Sequence, residues 1–317
     1  MNHGKLSYEG KYVYLGGIVT DTGCLTSDIE KYVISKRANV TIKYNNFLRK
    51  SYIAPLFIKL NVLDACVSSS LLYGCESWGT SSVNTVEVAY RQGLKQALSI
   101  RESVNTEIVY IESGKLPLYI RISKQQLKFW TDLQVYLAHN PNHPLVTLIN
   151  QGRELNLSYL NHYIKLENKF TTSLACATIL KENFLSESFT KIRQKSNSDN
   201  ESRLGMYLQV NPQLVTPSFV SNTLEFERVM VTRYRTGAHN LRIETGRMCN
   251  PTIPREERIC VCNNGVQSLA HCLFDCSLLQ ELRAEYNFES VDEALNSPLI
   301  PKFLLKMEKV LNIQNFS

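Results

Sequence analysis

The N-terminal part of the chain changes from a strand pattern to helical periodicity. The segment YVYLGGIV at 12–19 is β-branched and aromatic, and a DTG turn follows at 21–23, so it predicts a strand that ends in a turn. Ser27 and Glu30 then have the spacing of a helix capping box. Apolar positions recur every three or four residues over 29–47, which predicts an amphipathic helix behind the strand.

Helical patterns dominate the rest of the chain. They cover approximately 55–72, 83–100, 117–137, 158–184 and 223–235, with closing helices up to 311. Proline at the first position opens two of them, and a single further strand is predicted at 241–244. The pattern predicts a mainly α protein with an N-terminal strand pair and helical bundle, a helical connector and a small C-terminal α+β domain.

One polar stretch divides the predicted elements. The segment QKSNSDNES at 194–202 contains no apolar residue and is typical of an exposed linker. With the linker at 194–203, the predicted domains are the bundle at 1–105, the connector at 106–193 and the C-terminal domain at 204–317.

A cluster of cysteine and histidine near the C-terminus carries the clearest chemistry. It reads C-x-C-x8-H-x4-C and comprises Cys260, Cys262, His271 and Cys276. Four sulfur and nitrogen ligands that close on one point suit tetrahedral Zn²⁺, and a site with all four positions filled is structural. The cluster predicts a zinc knuckle at 259–277. Cys272 could replace His271 as a ligand, because it shares a helix face with Cys276.

The composition limits which compartment and which partners we expect for this chain. The net charge of +6 permits a polyanionic partner. A polar N-terminus predicts no signal peptide, and no apolar run reaches the length of a transmembrane helix. The chain has nine cysteines, an odd number, which fits metal ligands or buried thiols in a reducing compartment. We therefore expect an intracellular protein of the nucleus or the cytoplasm.

Two basic stretches are candidates for contact with nucleic acid. Basic residues outnumber acidic residues in the first 60 positions, and the first helix carries Lys36, Arg37, Lys43, Arg49 and Lys50. The stretch 225–258 uses arginine and no lysine, which favours bidentate phosphate contacts and base stacking, and its candidates are Arg233, Tyr234, Arg235, Arg242 and Arg247. The alternatives are a solvated helix face for the first stretch and a frame of internal salt bridges for the second.

Three segments in this order carry a resemblance to one family, namely YVYLG at 12–16 with TDTG at 20–23, Lys59 with LLYGCESW at 71–78, and the stretch 233–258 with the Cys/His cluster. They resemble the reverse transcriptases of LINE-type (non-LTR) retrotransposons. The first segment resembles the strand that ends their palm. Lys59 with LLYGCESW at 71–78 resembles a segment of their thumb. The stretch 233–247, REER at 255–258 and the Cys/His cluster resemble their C-terminal region, and together these segments span nearly the whole chain.

The resemblance implies a thumb-like bundle, a connector and a CCHC zinc knuckle that binds RNA or DNA. It implies Cys260, Cys262, His271 and Cys276 as the ligands and disfavours Cys272. The family's polymerase uses adjacent aspartates to hold two Mg²⁺ ions, and this sequence contains no Asp-Asp pair. We therefore expect a nucleic-acid-binding fragment that is not an enzyme by itself and that could act with a separately encoded polymerase core. The alternative is a zinc-stabilised scaffold for protein interactions without affinity for nucleic acid.

Overall fold

The computed structural model describes residues 11–14, 17–20, 26–78, 83–197, 203–217 and 224–313, and this part of the chain is mainly helical, as the sequence predicts. The helices up to the connector are α1 (Thr26–Lys50), α2 (Leu56–Val62), α3 (Ser69–Leu72), α4 (Cys75–Trp78), α5 (Val83–Leu98), α6 (Thr106–Ser113) and α7 (Leu118–His139). A π-helical stretch, Leu63–Ser68, joins α2 to α3. The remaining helices are α8 (Pro144–Glu154), α9 (Ser158–Lys169), α10 (Ser173–Asn197), α11 (Arg203–Val210), α12 (Glu225–Arg235), α13 (Arg242–Thr245), α14 (Leu269–Phe274), α15 (Gln280–Tyr286), α16 (Val291–Asn296) and α17 (Ile300–Val310).

Two short strands precede the helices. The strands β1 (Lys11–Tyr14) and β2 (Gly17–Thr20) pair antiparallel, with Tyr12 opposite Val19. The prediction of one continuous strand over 12–19 is therefore wrong. An apolar run shows that a segment is extended but does not show where the chain reverses, so the pattern could not separate two strands from one.

The chain divides into two compact units, each assembled from stretches that are distant in sequence. One takes in the described residues of Met1–Phe47, Asn61–Gly93 and Leu116–Ser186, and the other takes in those of Leu48–Leu60, Leu94–Lys115 and Glu187–Ser317. The sequence-predicted domains follow the order of the chain instead, and their boundaries stay a prediction. Helix α10 includes 194–197, so the predicted linker is helical at its start, and its residues 198–202 lie outside the described part.

Aromatic packing and helix capping hold the first unit together. Trp130 of α7 stacks on Tyr163 of α9 with ring centroids 5.3 Å apart, and its indole N–H donates to Glu167 at 2.8 Å. The buried carboxylate of Glu87 accepts hydrogen bonds from the backbone amides of Leu118 and Tyr119. Those amides begin α7 and have no partner within the helix, so Glu87 supplies the acceptor that Pro117 cannot provide.

The second unit has one continuous apolar core that includes the Cys/His segment. Helix α12 packs against α11, α16 and α17, and its residues Val231 and Tyr234 share a cluster with Phe303 and Leu304. Cys260, Cys272 and Cys276 belong to the same buried cluster. The predicted knuckle is therefore part of a larger core.

Two further predicted elements differ from the structure. Residues 242–245 form the short helix α13, where the sequence predicts a strand at 241–244. The alternation of apolar and polar residues over four positions also fits one helical turn, in which the amides of Glu244 and Thr245 donate to the carbonyl of Leu241. The helix predicted over 158–184 is broken, and the hydroxyl of Thr172 accepts from the amide of Ala175 where α10 begins.

None of the described helices combines the length and the apolar character needed to cross a membrane.

Candidate metal centre

A tight turn presents the first two cysteines of the cluster. Ile259 and Val266 form an antiparallel bridge, and the amide of Cys260 donates to the carbonyl of Gly265 at 2.9 Å. The turn closes because Asn263 and Gly265 have φ values of 58° and 97°, which asparagine and glycine tolerate best. The C-x-C spacing places both thiols at the start of this turn, with Cys260 fully buried.

Helix α14 and the turn after it bring in the other two members. The hydroxyl of Ser268 caps α14 and accepts from the amide of His271 at 3.1 Å. Beyond the end of the helix, the amide of Cys276 donates to the carbonyl of His271 at 2.8 Å. This closure turns Cys276 back toward the imidazole, which explains the four-residue spacing between the histidine and the last cysteine.

The four side chains meet at one point. One ligand atom from each of Cys260, Cys262, His271 and Cys276 lies within 4.8 Å of all the others. The Sγ atoms of Cys260 and Cys276 are 3.8 Å apart, and Sγ of Cys262 is 3.3 Å from Nε2 of His271. The four residues could hold a metal ion, as the sequence predicts.

Cys272 lies outside this group. Its side chain is fully buried in the apolar core, and burial raises the pKa of its thiol above the usual range. It follows His271 directly in α14 and therefore points about 100° away around the helix. The structure thus supports the histidine over Cys272 as a member of the cluster.

The surroundings favour one thiolate in the cluster. Burial opposes ionisation of Cys262, but hydrogen bonds with the backbone at Asn264, with His271 and with the neighbouring cysteines lower its pKa to about 6. Burial raises the pKa of Cys276 to about 12. The side-chain amide of Gln267 donates to Sγ of Cys260 at 3.9 Å, a contact of the type that supports metal-bound thiolates. Binding of a cation would offset the remaining cost of ionising the buried thiols.

The structure removes Tyr234 and Arg235 from the predicted nucleic-acid contacts. Both side chains are buried, and the Tyr234 hydroxyl donates to Glu308 at 3.0 Å. Arg235 pairs with Glu112 at 3.2 Å and donates to Asn296 at 2.9 Å. The alternation Arg-Tyr-Arg is therefore part of the core, and the alternative of internal salt bridges describes these two residues.

The side chains of the other candidate arginines of this stretch remain at least partly exposed to solvent. Arg233 is half-buried and donates from Nε to the carbonyl of Ser99 at 2.9 Å. Arg242 is exposed and donates to the carbonyl of Ile259, which stabilises the turn that presents Cys260 and Cys262. Arg247 is partly exposed, and its Nε lies 3.8 Å from the carboxylate of Glu244.

The five predicted nucleic-acid contacts on α1 differ in how far their side chains are exposed or engaged with other residues. Lys43, Arg49 and Lys50 have exposed side chains. Lys36 lies over the ring of Tyr73 at 4.9 Å, and Arg37 donates to the side chain of Gln92 at 3.0 Å. Neither the exposure of the first three nor the contacts of the last two identify a ligand, so all five stay predictions.

Comparisons of the chain with protein-family models, with curated proteins and with solved structures find no match.

Proposed function

We propose that this chain is a nucleic-acid-binding module, related to the C-terminal part of LINE-type retrotransposon reverse transcriptases, in which one structural zinc ion orders the second unit. The observation that carries the proposal is the convergence of Cys260, Cys262, His271 and Cys276. The sequence motif that includes this cluster also carries the resemblance to the family.

The distances within the cluster suit zinc. Tetrahedral zinc with Zn–S bonds of about 2.3 Å separates two sulfur atoms by about 3.8 Å. The Sγ atoms of Cys260 and Cys276 are 3.8 Å apart. For sulfur and nitrogen the expected separation is about 3.6 Å, and the Cys262 and His271 atoms are 3.3 Å apart. Three thiols and an imidazole also suit zinc better than calcium or magnesium, which prefer oxygen ligands.

The zinc would have a structural role. Its four protein ligands fill a tetrahedral shell and leave no position for substrate or water. Cys260 and Cys276 are fully buried in the core that α12 and α17 share, so the ion would hold the turn and α14 against those helices. We assign no catalysis to this chain, because its sequence lacks the aspartate pair that the family's nucleotidyl transfer uses.

Charge supports nucleic acid as the partner. The chain has a net charge of +6, and Lys43, Arg49 and Lys50 are exposed on α1. Phosphate contacts of such residues release counterions and supply affinity that falls with salt. RNA or DNA would fit these contacts, since they read the backbone and not the sequence.

A zinc-stabilised scaffold for protein interactions is the second candidate. The exposed apolar residues Val135, Tyr136, Leu148 and Leu155, on and beside α7 and α8, favour it, because such residues are common in protein interfaces. A scaffold of this kind would keep its zinc and would have no salt-dependent affinity for RNA.

Binding of the purified, zinc-loaded full chain to a single-stranded RNA at two salt concentrations separates the candidates. We expect binding at ~50 mM salt that weakens at least tenfold at ~200 mM, in line with several phosphate contacts. Zinc in the protein without RNA binding at the lower salt would reject the nucleic-acid function and support the scaffold.

A further inference from the structure

Two arginines from distant parts of the sequence converge on one buried carboxylate in the second unit, and the charges of Arg203 and Glu244 act on a third arginine, Arg101. Arg203 forms an ion pair with Glu244, whose side chain is 2% exposed, and Arg247 approaches the same carboxylate at 3.8 Å. Arg203 also donates to the hydroxyl of Ser103 at 3.4 Å, beside Arg101. We call Arg101, Arg203 and Arg247 the arginine cluster. Arg101 and Arg203 were not among the candidates from sequence, because nothing local connects them to the 225–258 stretch.

The arginine cluster has more positive charge than its described surroundings balance. Burial lowers the pKa of Arg101, and the nearby charge of Arg203 lowers it further. Burial and the charges of Arg101, Arg203 and Arg247 together lower the pKa of His239 to about 3, so this imidazole is neutral and adds no charge. Glu244 alone cannot neutralise three guanidinium groups, so an additional anion would be stabilised here.

One guanidinium of the arginine cluster lacks hydrogen bonds in the described part of the chain. The Nε atom of Arg247 is buried and has no hydrogen-bond partner in the described structure, although its side chain as a whole is 31% exposed. The two Nη atoms of Arg247 also make no hydrogen bond among the described residues. An oxyanion that reaches the exposed part of this side chain would supply acceptors to a guanidinium that lacks them. The side chain of Arg203 is 20% exposed and that of Arg101 is half-buried, so a ligand can reach the cluster from solvent.

A cavity of about 670 Å³ adjoins the arginine cluster in the same unit. Asn240 connects the two, because it lines the cavity and its side chain accepts a hydrogen bond from Arg101. Exposed apolar side chains form much of the wall, namely Tyr52, Ile53, Leu224 and Phe226. The volume is within the range of about 300–1,000 Å³ that is usual for small-molecule sites.

The polar groups in the cavity wall include two carboxylates, Glu225 and Glu308. Glu225 pairs with Lys59 and Arg228, and Glu308 accepts a hydrogen bond from Tyr234. Arg233 contributes a half-buried guanidinium that is fixed through Nε to the carbonyl of Ser99. Its Nη atoms have no hydrogen-bond partner among the described residues.

Tyr234 and the neutral His239 stack 4.7 Å apart at the inner side of the cavity, and both are almost fully buried. The aromatic rings that a ligand could reach are those of Tyr52 and Phe226. Exposed aromatic and apolar side chains beside a guanidinium suit a flat, polar ring such as a nucleobase.

We propose that the arginine cluster binds a backbone phosphate of a single-stranded nucleic acid and that the adjoining cavity takes an unstacked base of the same strand. This inference rests on the proposed function and names the contacts that the function would use. Bidentate guanidinium groups suit phosphate oxygens, and an accessible apolar cavity suits a base that is not paired in a duplex. The site therefore favours single-stranded over double-stranded nucleic acid.

The phosphate contact is tested with Arg101→Gln and Arg247→Gln in the zinc-loaded full chain, with a 20-nucleotide oligouridine as the probe. We expect each variant to weaken binding about fivefold at low salt and to reduce the slope of log affinity against log salt by about 0.7. Arg153→Gln removes the same charge from an exposed position on α8 and should leave both quantities unchanged. Unchanged melting temperatures of the variants would show that the fold is intact.

The base contact is tested by comparing the oligouridine with inorganic polyphosphate, which has phosphates and no bases. Phe226→Ala should weaken binding of the RNA several-fold and leave binding of polyphosphate unchanged, because the ring lines the cavity and is 54% exposed. Phe57→Ala is the control, since Phe57 is similarly exposed at 59% and does not line the cavity.

The outcomes separate this inference from the function on which it rests. The site is supported if both arginine variants and Phe226→Ala weaken RNA binding and the two control variants do not. RNA binding that matches the controls in every variant overturns the site and leaves the proposed function standing. No RNA binding by the wild-type chain overturns both.

Discussion

Arg235 and Glu112 form an ion pair that is almost completely buried, with 2% of the arginine side chain and none of the glutamate side chain exposed. Nη2 of Arg235 lies 3.2 Å from Oε1 of Glu112. The same oxygen accepts a hydrogen bond from the hydroxyl of Tyr207 at 2.9 Å. Because 123 positions separate the two residues in the sequence, the pair ties α6 to α12 within the second unit.

Removal of one partner of this pair should destabilise the protein strongly. We expect Arg235→Met to lower the free energy of unfolding by about 3–5 kcal/mol, since it leaves the Glu112 carboxylate buried without its counter-charge. Urea denaturation of the full chain measures this difference. Combining Arg235→Met with Glu112→Leu removes both charges and should recover part of the loss. A loss below about 1 kcal/mol in the single variant would show that the pair is exposed to solvent.

The two neighbouring residues of α14 should respond differently to substitution. His271→Ala removes a proposed ligand and should abolish stoichiometric zinc binding. Cys272→Ala should keep the zinc and lower the free energy of unfolding by about 1 kcal/mol, because Cys272 contributes only to packing. Metal analysis of both purified variants distinguishes the two roles. If Cys272→Ala loses the zinc and His271→Ala keeps it, then Cys272 is the ligand and His271 is not.

Chelation of the zinc should loosen more than the knuckle itself. Cys260 and Cys276 share their core with Val231 of α12, which lies outside the predicted knuckle at 259–277. We therefore expect faster hydrogen exchange in both α12 and α14 after chelation, while α7 of the first unit keeps its protection. Protection that is lost only over 259–277 would contradict this coupling.

Acid should destabilise the protein through His239. Burial, followed by the charges of Arg101, Arg203 and Arg247, lowers the pKa of this imidazole to about 3 in the folded state. An unfolded histidine titrates near 6.5, so between pH 6.5 and 3 the unfolded state binds the extra proton and stability falls as the pH falls. The expected slope is at most about 1.4 kcal/mol per pH unit.

His239→Gln should remove this part of the pH dependence. The change deletes the titrating group, and its amide oxygen can still accept from the backbone amide of Leu241, which now donates to the imidazole at 3.3 Å. Denaturation of both proteins at pH 7 and pH 5 gives the comparison. If the free energy of unfolding falls by the same amount from pH 7 to pH 5 in the variant and in the wild-type chain, His239 is not the source of the pH dependence.

Local signals in the sequence account for the features that were predicted well. Pro117 correctly marks the start of α7, and the Cys/His spacing identifies all four members of the cluster. Both depend on residues that are close in the chain, where backbone geometry relates spacing to position.

The burial of Tyr234 and Arg235 could not be read from the sequence. Their partners are Glu308 and Glu112, which lie 74 and 123 positions away, and an Arg-Tyr-Arg segment is equally suited to a nucleic acid. Arg101 and Arg203 were missed for the same reason, since only the fold pairs Arg203 with Glu244 and brings Arg101 near them. Sequence patterns describe which chemistry a segment offers, and long-range packing decides which of its side chains reach solvent.

The most direct test of the account is native mass spectrometry of the full chain, purified with zinc present. If Cys260, Cys262, His271 and Cys276 hold one structural ion, the spectrum will show a single zinc per chain, and His271→Ala will lose it. A wild-type chain that remains folded and binds no zinc would contradict the central claim.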